Sequence, residues 1–266
     1  ANIEWQGVFP ALTTKFTASG AIDWQAMARH LEFQLDGGVH GLIILGSLGE
    51  NATLSMEEKV ETVRFFAQAD RRGRPLVACI AESSTRDAKQ FVAAAQDAGV
   101  DGFMLLPPMR YASDRRETLA YLNDVAAVAE RPIMVYNNPI AYGIDITPED
   151  FVRLADNPKF EAIKESAADT RRFTDIRRLT GDRFALFCGV DDLALECFAL
   201  GADGWVAGLV VVIGEQVAQH GDRGLAIRAA RQLAVARDQV FVAGGDVAAA
   251  GITHDGGSVT GPGGRS

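Results

Sequence analysis

Apolar residues in this chain come in short unbroken runs separated by amphipathic stretches. Gly41-Leu-Ile-Ile-Leu45, Pro75 to Ala81, Gly102 to Leu106, Pro132 to Tyr136 and Phe184 to Cys188 lack polar alternation. Such runs are expected of strands covered on both faces. Gly7 to Phe16, Phe160 to Ile163 and Gly204 to Ala207 read as further strands. The segments between them carry helix signals. Asp23 caps a helix to about Leu35, and Ser55 with Glu58 forms a capping box. Ser84 opens a helix to Ala98 that Gly99 stops. Helices are also predicted over Arg115–Ala129, from Thr147-Pro148, over Thr170–Leu179 and over Asp191–Leu200. Strict alternation implies a parallel sheet, and eight such units predict an α/β fold of the closed (β/α)8 TIM barrel type. An open doubly wound sheet would carry a GxGxxG turn after the first strand, and this chain has none.

The pattern changes near Gly214. Residues 1–213 are expected to hold the barrel through its eighth strand. Residues 214–266 read as a divergent C-terminal extension, with one helix over Gly224–Val240 and a flexible glycine-rich tail.

Composition narrows the function classes. The net charge is −9, with both signs mixed along the chain, so neither a nucleic-acid surface nor a polybasic membrane anchor is expected. Cys79, Cys188 and Cys197 lack CxxC spacing and read as reduced core residues of a cytoplasmic protein. The four histidines show no HxxxH or HExxH spacing, so no metal site is expected. The first residues lack a basic region followed by an apolar run, and no apolar run is long enough to span a membrane.

One residue stands out against this pattern. Lys164 ends the apolar strand that starts at Phe160. Desolvation favours the free amine, and a free amine beside a carbonyl forms a Schiff base. The bland alternative is a lysine past the strand end, paired with Glu165 or Asp169. Barrel topology weighs against it, because catalytic residues project from the C-terminal ends of barrel strands. That rule brings Ser47, Leu48, Tyr111, Tyr136, Lys164, Asp191, Asp192 and Gly208 to one face. Tyr136 suits a proton shuttle beside a cationic imine, or is simply a buried tyrosine with a backbone partner. The turn Gly46-Ser47-Leu48-Gly49 offers backbone N–H groups to a carboxylate, with the Ser47 hydroxyl beside them. Asp191 either binds substrate hydroxyls or caps the next helix.

Gly46-Ser-Leu-Gly-Glu50, Tyr136-Asn137-x-Pro139 and Ile163-Lys164-Glu165 together resemble the dihydrodipicolinate synthase / N-acetylneuraminate lyase family, from about Gly7 to Gly208. The resemblance implies a homotetramer built as a dimer of dimers. It also implies that Lys164 forms the Schiff base with a 2-oxo acid and needs no cofactor. Tyr136 would shuttle protons, and Ser47 with the backbone at Leu48 would hold the carboxylate, with Gly49, Ser166, Asp191, Gly208 and Tyr111 as further substrate-binding candidates. The synthases of this family carry two threonines where this chain has Ser47-Leu48, and an arginine in the turn that here reads Asn138 to Gly143. The wording around Pro107-Pro-Met-Arg-Tyr111 and Tyr136-Asn-Asn-Pro-x-x-Tyr-Gly143 is most similar to a branch acting on hydroxyproline-derived compounds. It implies deamination of 1-pyrroline-4-hydroxy-2-carboxylate to 2-oxoglutarate semialdehyde. The alternatives are a dihydrodipicolinate synthase-like enzyme, a 2-keto-3-deoxy sugar acid aldolase, or a non-catalytic 2-oxo acid binding protein.

Overall fold

The computed structural model describes residues 3–108 and 110–208. The proposed extension over residues 214–266 lies outside the described residues. Eight strands run β1 (Gly7–Pro10), β2 (Leu42–Ile44), β3 (Leu76–Ile80), β4 (Gly102–Leu105), β5 (Ile133–Asn137), β6 (Phe160–Glu165), β7 (Ala185–Cys188) and β8 (Gly204–Ala207). All pairings are parallel, in the order β1-β8-β7-β6-β5-β4-β3-β2. The last seam closes between β1 and β2. There Leu12 N–H donates to the Ile43 carbonyl at 2.8 Å, and His40 N–H to the Val8 carbonyl at 2.9 Å. The sheet is a (β/α)8 barrel.

Helices fill the connections: α1 (Trp24–Asp36), α2 (Met56–Gln68), α3 (Thr85–Ala98), α4 (Arg115–Ala126), α5 (Pro139–Tyr142), α6 (Pro148–Leu154), α7 (Arg171–Thr180) and α8 (Ala194–Ala199). Their starts follow the caps. Asp23, Ser55, Ser84 and Asp114 each accept a backbone N–H from the first turn, and Ser55 and Asp114 complete capping boxes. The apolar runs are buried throughout, because helices cover one face of each strand and the barrel interior the other. Phe9 and Phe187 meet edge to face at 5.2 Å inside the barrel, and Trp5 stacks on Phe9 at 6.0 Å. This aromatic plug fills the barrel interior and leaves the polar residues at the C-terminal rim.

Several expected boundaries move. The first strand ends at Pro10 rather than Phe16. Past the rim the chain leaves the sheet, and Phe16 bridges Ile22 around a small turn. β6 runs two residues beyond Ile163, so Lys164 lies within the strand. The helix expected over Arg115–Ala129 stops at Ala126. The helix expected over Asp191–Leu200 is a 3-10 turn, Asp191–Leu193, followed by α8. Asp191 opens that turn, and its carboxylate accepts from the Trp205 indole of β8.

Candidate active site

β5 and β6 set the centre. Tyr136 pairs in register with Lys164. Residues in register on parallel neighbours point to the same face of the sheet. Lys164 is 7% exposed, and its Nζ lies 3.8 Å from the centroid of the Tyr136 ring. The expected alternative pairings are not made. Glu165 accepts from Asn137 Nδ2 and Ala167 N–H and faces Arg172 at 3.7 Å, while Asp169 binds Arg171. The Tyr136 phenol accepts from the Asn138 side chain at 3.0 Å, not from the backbone. Burial alone would raise that phenol. The Lys164 charge and the Asn138 hydrogen bond outweigh it and hold Tyr136 below the ordinary tyrosine range.

Ser166 continues the chain past β6 and is buried. Gly189, directly after β7, makes room for both groups. A Cβ there would overlap Ser166 Oγ and come within 2.7 Å of Lys164 Cε. Only a glycine lets the lysine side chain cross at this height. A lone glycine after a strand run was the available sequence signal.

The second wall is the loop after β2. Leu45 and Glu50, at its two ends, both adopt left-handed φ (60° and 56°), unusual for residues other than glycine, and such strain gathers at functional sites. The Thr14 hydroxyl donates to the Gly49 carbonyl at 2.6 Å and fixes the turn. Ser47 is exposed at the tip, and its hydroxyl hydrogen-bonds the Tyr142 phenol at 2.6 Å. Tyr142 was not among the sequence candidates. It ends α5, a single helical turn started by Asn138 and Pro139 and stopped by Gly143 in the left-handed region. The Tyr142 ring meets Tyr136 edge to face at 5.7 Å. Burial and then the Tyr136 charge push the Tyr142 phenol up, against a smaller opposing effect of the Ser47 hydrogen bond.

Leu48, Asp191 and Gly208 meet beside this wall. A Cβ at Gly208 would be 3.1 Å from Asp191 Oδ2 and 3.2 Å from Leu48 Cδ1. Asp191 Oδ1 accepts from the Trp205 indole and from the Gly208 N–H, each at 3.0 Å. Asp191 thus braces the loop after β8. Leu48 is 45% exposed and puts an apolar side chain at the mouth. Tyr111 stands apart, 57% exposed, with no hydrogen bond to Lys164, Tyr136 or Ser47 among the described residues.

The loop that carries Tyr142 has its own anchor, also absent from the sequence candidates. Asn137 Nδ2 donates to both Glu165 oxygens at 3.1 Å and to Asp145 at 3.2 Å, and Asn137 Oδ1 accepts from Ile146 N–H. Arg172 pairs with Asp145. Burial raises the Glu165 carboxyl from 4.5 to about 7 despite these donors.

The chain is similar to proteins of known sequence and structure. A 4-hydroxy-tetrahydrodipicolinate synthase of Salinibacter ruber is 33% identical over 204 residues, covering 76% of this chain and 68% of the relative. That of Methanothrix thermoacetophila is 34% identical over 204 residues, with the same coverage. Among solved structures, dihydrodipicolinate synthase from Aquifex aeolicus superposes with a TM-score of 0.75 at 28% identity, covering 89% of this chain and 82% of that one. YagE, a prophage protein of Escherichia coli K12 solved in complex with pyruvate, gives 0.74 at 28% identity, covering 86% and 80%. These relatives favour the synthase-like alternative over the deaminase reading. The Dihydrodipicolinate synthetase family matches residues 4–233, the span that carries the barrel, Lys164, Tyr136 and the Ser47 loop, and the chain belongs to that family.

Proposed function

We propose that the protein is a lyase that forms a Schiff base between Lys164 and a small 2-oxo acid of the pyruvate type. The observation that carries the reading is the in-register pair on β5 and β6, with Lys164 Nζ 3.8 Å over the Tyr136 ring. Lys164 attacks the C2 carbonyl, and the proton lost from nitrogen passes to the carbonyl oxygen through Tyr136. Loss of water from the carbinolamine leaves an iminium, which draws electrons from the C2–C3 region. A C3 proton can then leave, or a bond β to the iminium can form or break. Ser47 and the backbone at Leu48 and Gly49 are suited to the 2-oxo acid's carboxylate. Ser166 supports the Tyr136–Lys164 pair, and Gly208 with Asp191 borders the mouth. Tyr111 is left out of this machinery. The similarity to a relative solved with pyruvate supports the substrate class.

Residues 138–143 hold no arginine, and Leu48 offers no hydroxyl. Both features speak for a partner molecule without a second carboxylate at that turn, and so keep the deaminase as a second reading. In it, imine exchange on C2 opens 1-pyrroline-4-hydroxy-2-carboxylate and leaves its nitrogen as an amine on C5; the enamine expels the 4-hydroxyl as water, the double bond moves to give a C5 imine, and hydrolysis of that imine releases ammonia and leaves the aldehyde. Reduction with borohydride over a panel of 2-oxo acids and this pyrroline separates the cases. A covalent adduct at Lys164 with pyruvate is expected. Ammonia release from the pyrroline would select the deaminase, and condensation of pyruvate with aspartate semialdehyde would select the synthase. Adduct formation with neither compound contradicts the proposal. We also infer assembly as a homotetramer, as the family resemblance implies. Sedimentation would show a single dimer or monomer species if that is wrong.

A further inference from the structure

We propose that Cys188 and Cys197 form a modification site, a pair of thiols that a peroxide closes into a disulfide behind the strand of Lys164. Cys188 ends β7 in register with Glu165, and the preceding Phe187 is in register with Lys164. Strand alternation therefore turns Phe187 and Lys164 to the barrel interior, and Cys188 with Glu165 outward to the helices. Cys197 lies on the buried side of α8 with Ala194 and Phe198. The two cysteines line one cavity of about 180 Å³, together with buried Glu165 and Phe173. That is about the volume of one large side chain, so little separates two thiols on its walls. The Cys188 thiol donates to the carbonyl of Val190 at 3.2 Å, and Val190 lines the same cavity. Exposed Ala168, in the left-handed region at φ 56°, and partly exposed Asp169 and Thr170 form its outer rim, where a small oxidant can enter. Cys79, on β3, does not line this cavity, and burial pushes its thiol up to about 12.

The two thiols have different roles. The neighbouring Cys197 holds the Cys188 thiol below the ordinary cysteine range against the effect of burial, whereas Cys188 and then burial push the Cys197 thiol up. The thiolate is the nucleophile, so Cys188 meets the oxidant and Cys197 resolves. The Cys188 sulfur attacks one peroxide oxygen. An S–O bond forms, the O–O bond breaks, and the other oxygen leaves as water, giving a sulfenic acid. The Cys197 sulfur then attacks the Cys188 sulfur. The S–S bond forms, the S–O bond breaks, and a second water carries away the Cys197 proton. In sum, two thiols and hydrogen peroxide give one disulfide and two waters, with both sulfurs oxidised and both peroxide oxygens reduced. The consequence for the site runs through Gly189. It follows Cys188 directly, its N–H donates to the Glu165 carbonyl at 2.9 Å, and its missing side chain leaves the gap that Lys164 and Ser166 fill. A bond from Cys188 to α8 draws the end of β7 outward and shifts that gap, so oxidation slows the chemistry of Lys164.

The test treats the full chain with hydrogen peroxide, blocks free thiols with N-ethylmaleimide in denaturant, and maps the peptides by mass spectrometry. Trypsin leaves both cysteines on the peptide from Phe184 to Arg223, and cleavage after Glu196 separates them. The expected result is two fragments still joined, lacking two hydrogens relative to the dithiol and released by dithiothreitol, with Cys79 alkylated. Cys188→Ser and Cys197→Ser should each abolish the joined species. The oxidised wild type should form the borohydride-trapped pyruvate adduct about 10-fold to 100-fold more slowly, and the same peroxide treatment should not slow either serine variant. Free thiols at both positions after peroxide, or a Cys188 sulfinic acid without a crosslink, would overturn the pair. A crosslink that leaves the adduct rate unchanged would overturn its coupling to the site. The crosslink does not depend on the Schiff-base reading: a reduced chain that forms no adduct would remove that reading and the coupling, and leave the disulfide standing.

Discussion

Lys164 combines three features that seldom meet: it lies inside a strand, it is nearly buried, and an aromatic ring rather than a carboxylate faces its amine. A lysine kept only for stability would be expected to hold an acidic partner. Its nearest acidic neighbour in sequence, Glu165, points to the opposite face of β6, as strand alternation requires. Two residue-scale predictions follow from this packing. Tyr136→Phe keeps the ring under Nζ and removes the shuttle, so turnover should fall by about 100-fold to 10,000-fold while the chain remains folded by circular dichroism. Gly189→Ala inserts a methyl group where Lys164 Cε and Ser166 Oγ already sit. It should lower stability by about 1–3 kcal/mol through overpacking and slow adduct formation. Urea denaturation and timed borohydride quenching would measure the two effects.

The segment from Asn137 to Thr147 works as one unit. Asn137 pins its start to Glu165 and its end to Ile146, Arg172 grips Asp145, and α5 lifts Tyr142 over the site between these fixings. Replacing Asn137 by Ala would leave the buried Glu165 short of two hydrogen bonds. The expected cost is about 1–3 kcal/mol, together with faster amide exchange across residues 138–146 in a hydrogen-exchange experiment. The strands that frame this unit could be read from the sequence, since two-sided burial leaves no polar alternation in Ile133 to Tyr136. The unit itself could not. α5 is one turn long, too short for a 3.6 period to show, although Asn138-Pro139 and Gly143 are its start and stop signals. Asp191 posed a different difficulty. Its partners Trp205 and Gly208 come from another strand, and local sequence gives no hint that they would claim the carboxylate from the helix it precedes. Gly189 needs the height of the Lys164 side chain to explain it, which only the assembled barrel supplies.

At the scale of the whole molecule, the barrel divides its labour along its axis. Phe9, Phe187 and Trp5 fill the interior with a rigid apolar plug, while the strand ends and loops above it carry the polar groups. The fold was legible because this division repeats eight times along the chain, one strand run and one capped helix at a time. The buried polar groups at the rim leave a mark on global stability. Glu165 keeps its proton in the folded chain up to about pH 7, whereas the unfolded chain releases it near 4.5. Stability should therefore be greatest below that window, fall as pH rises through it, and level off above. The loss attributable to this group is up to about 3 kcal/mol. Thermal melts from pH 4.5 to pH 7.5 should show a slope that Glu165→Gln removes; an identical slope in that variant would assign it to other groups.

The central claim is that Lys164 carries the covalent step. Incubation of the intact chain with pyruvate and borohydride, followed by peptide mass spectrometry, tests it most directly. The account predicts a reduced pyruvyl adduct on the peptide containing Lys164, absent from Lys164→Arg. An unmodified Lys164, or an adduct on a different lysine, would contradict it.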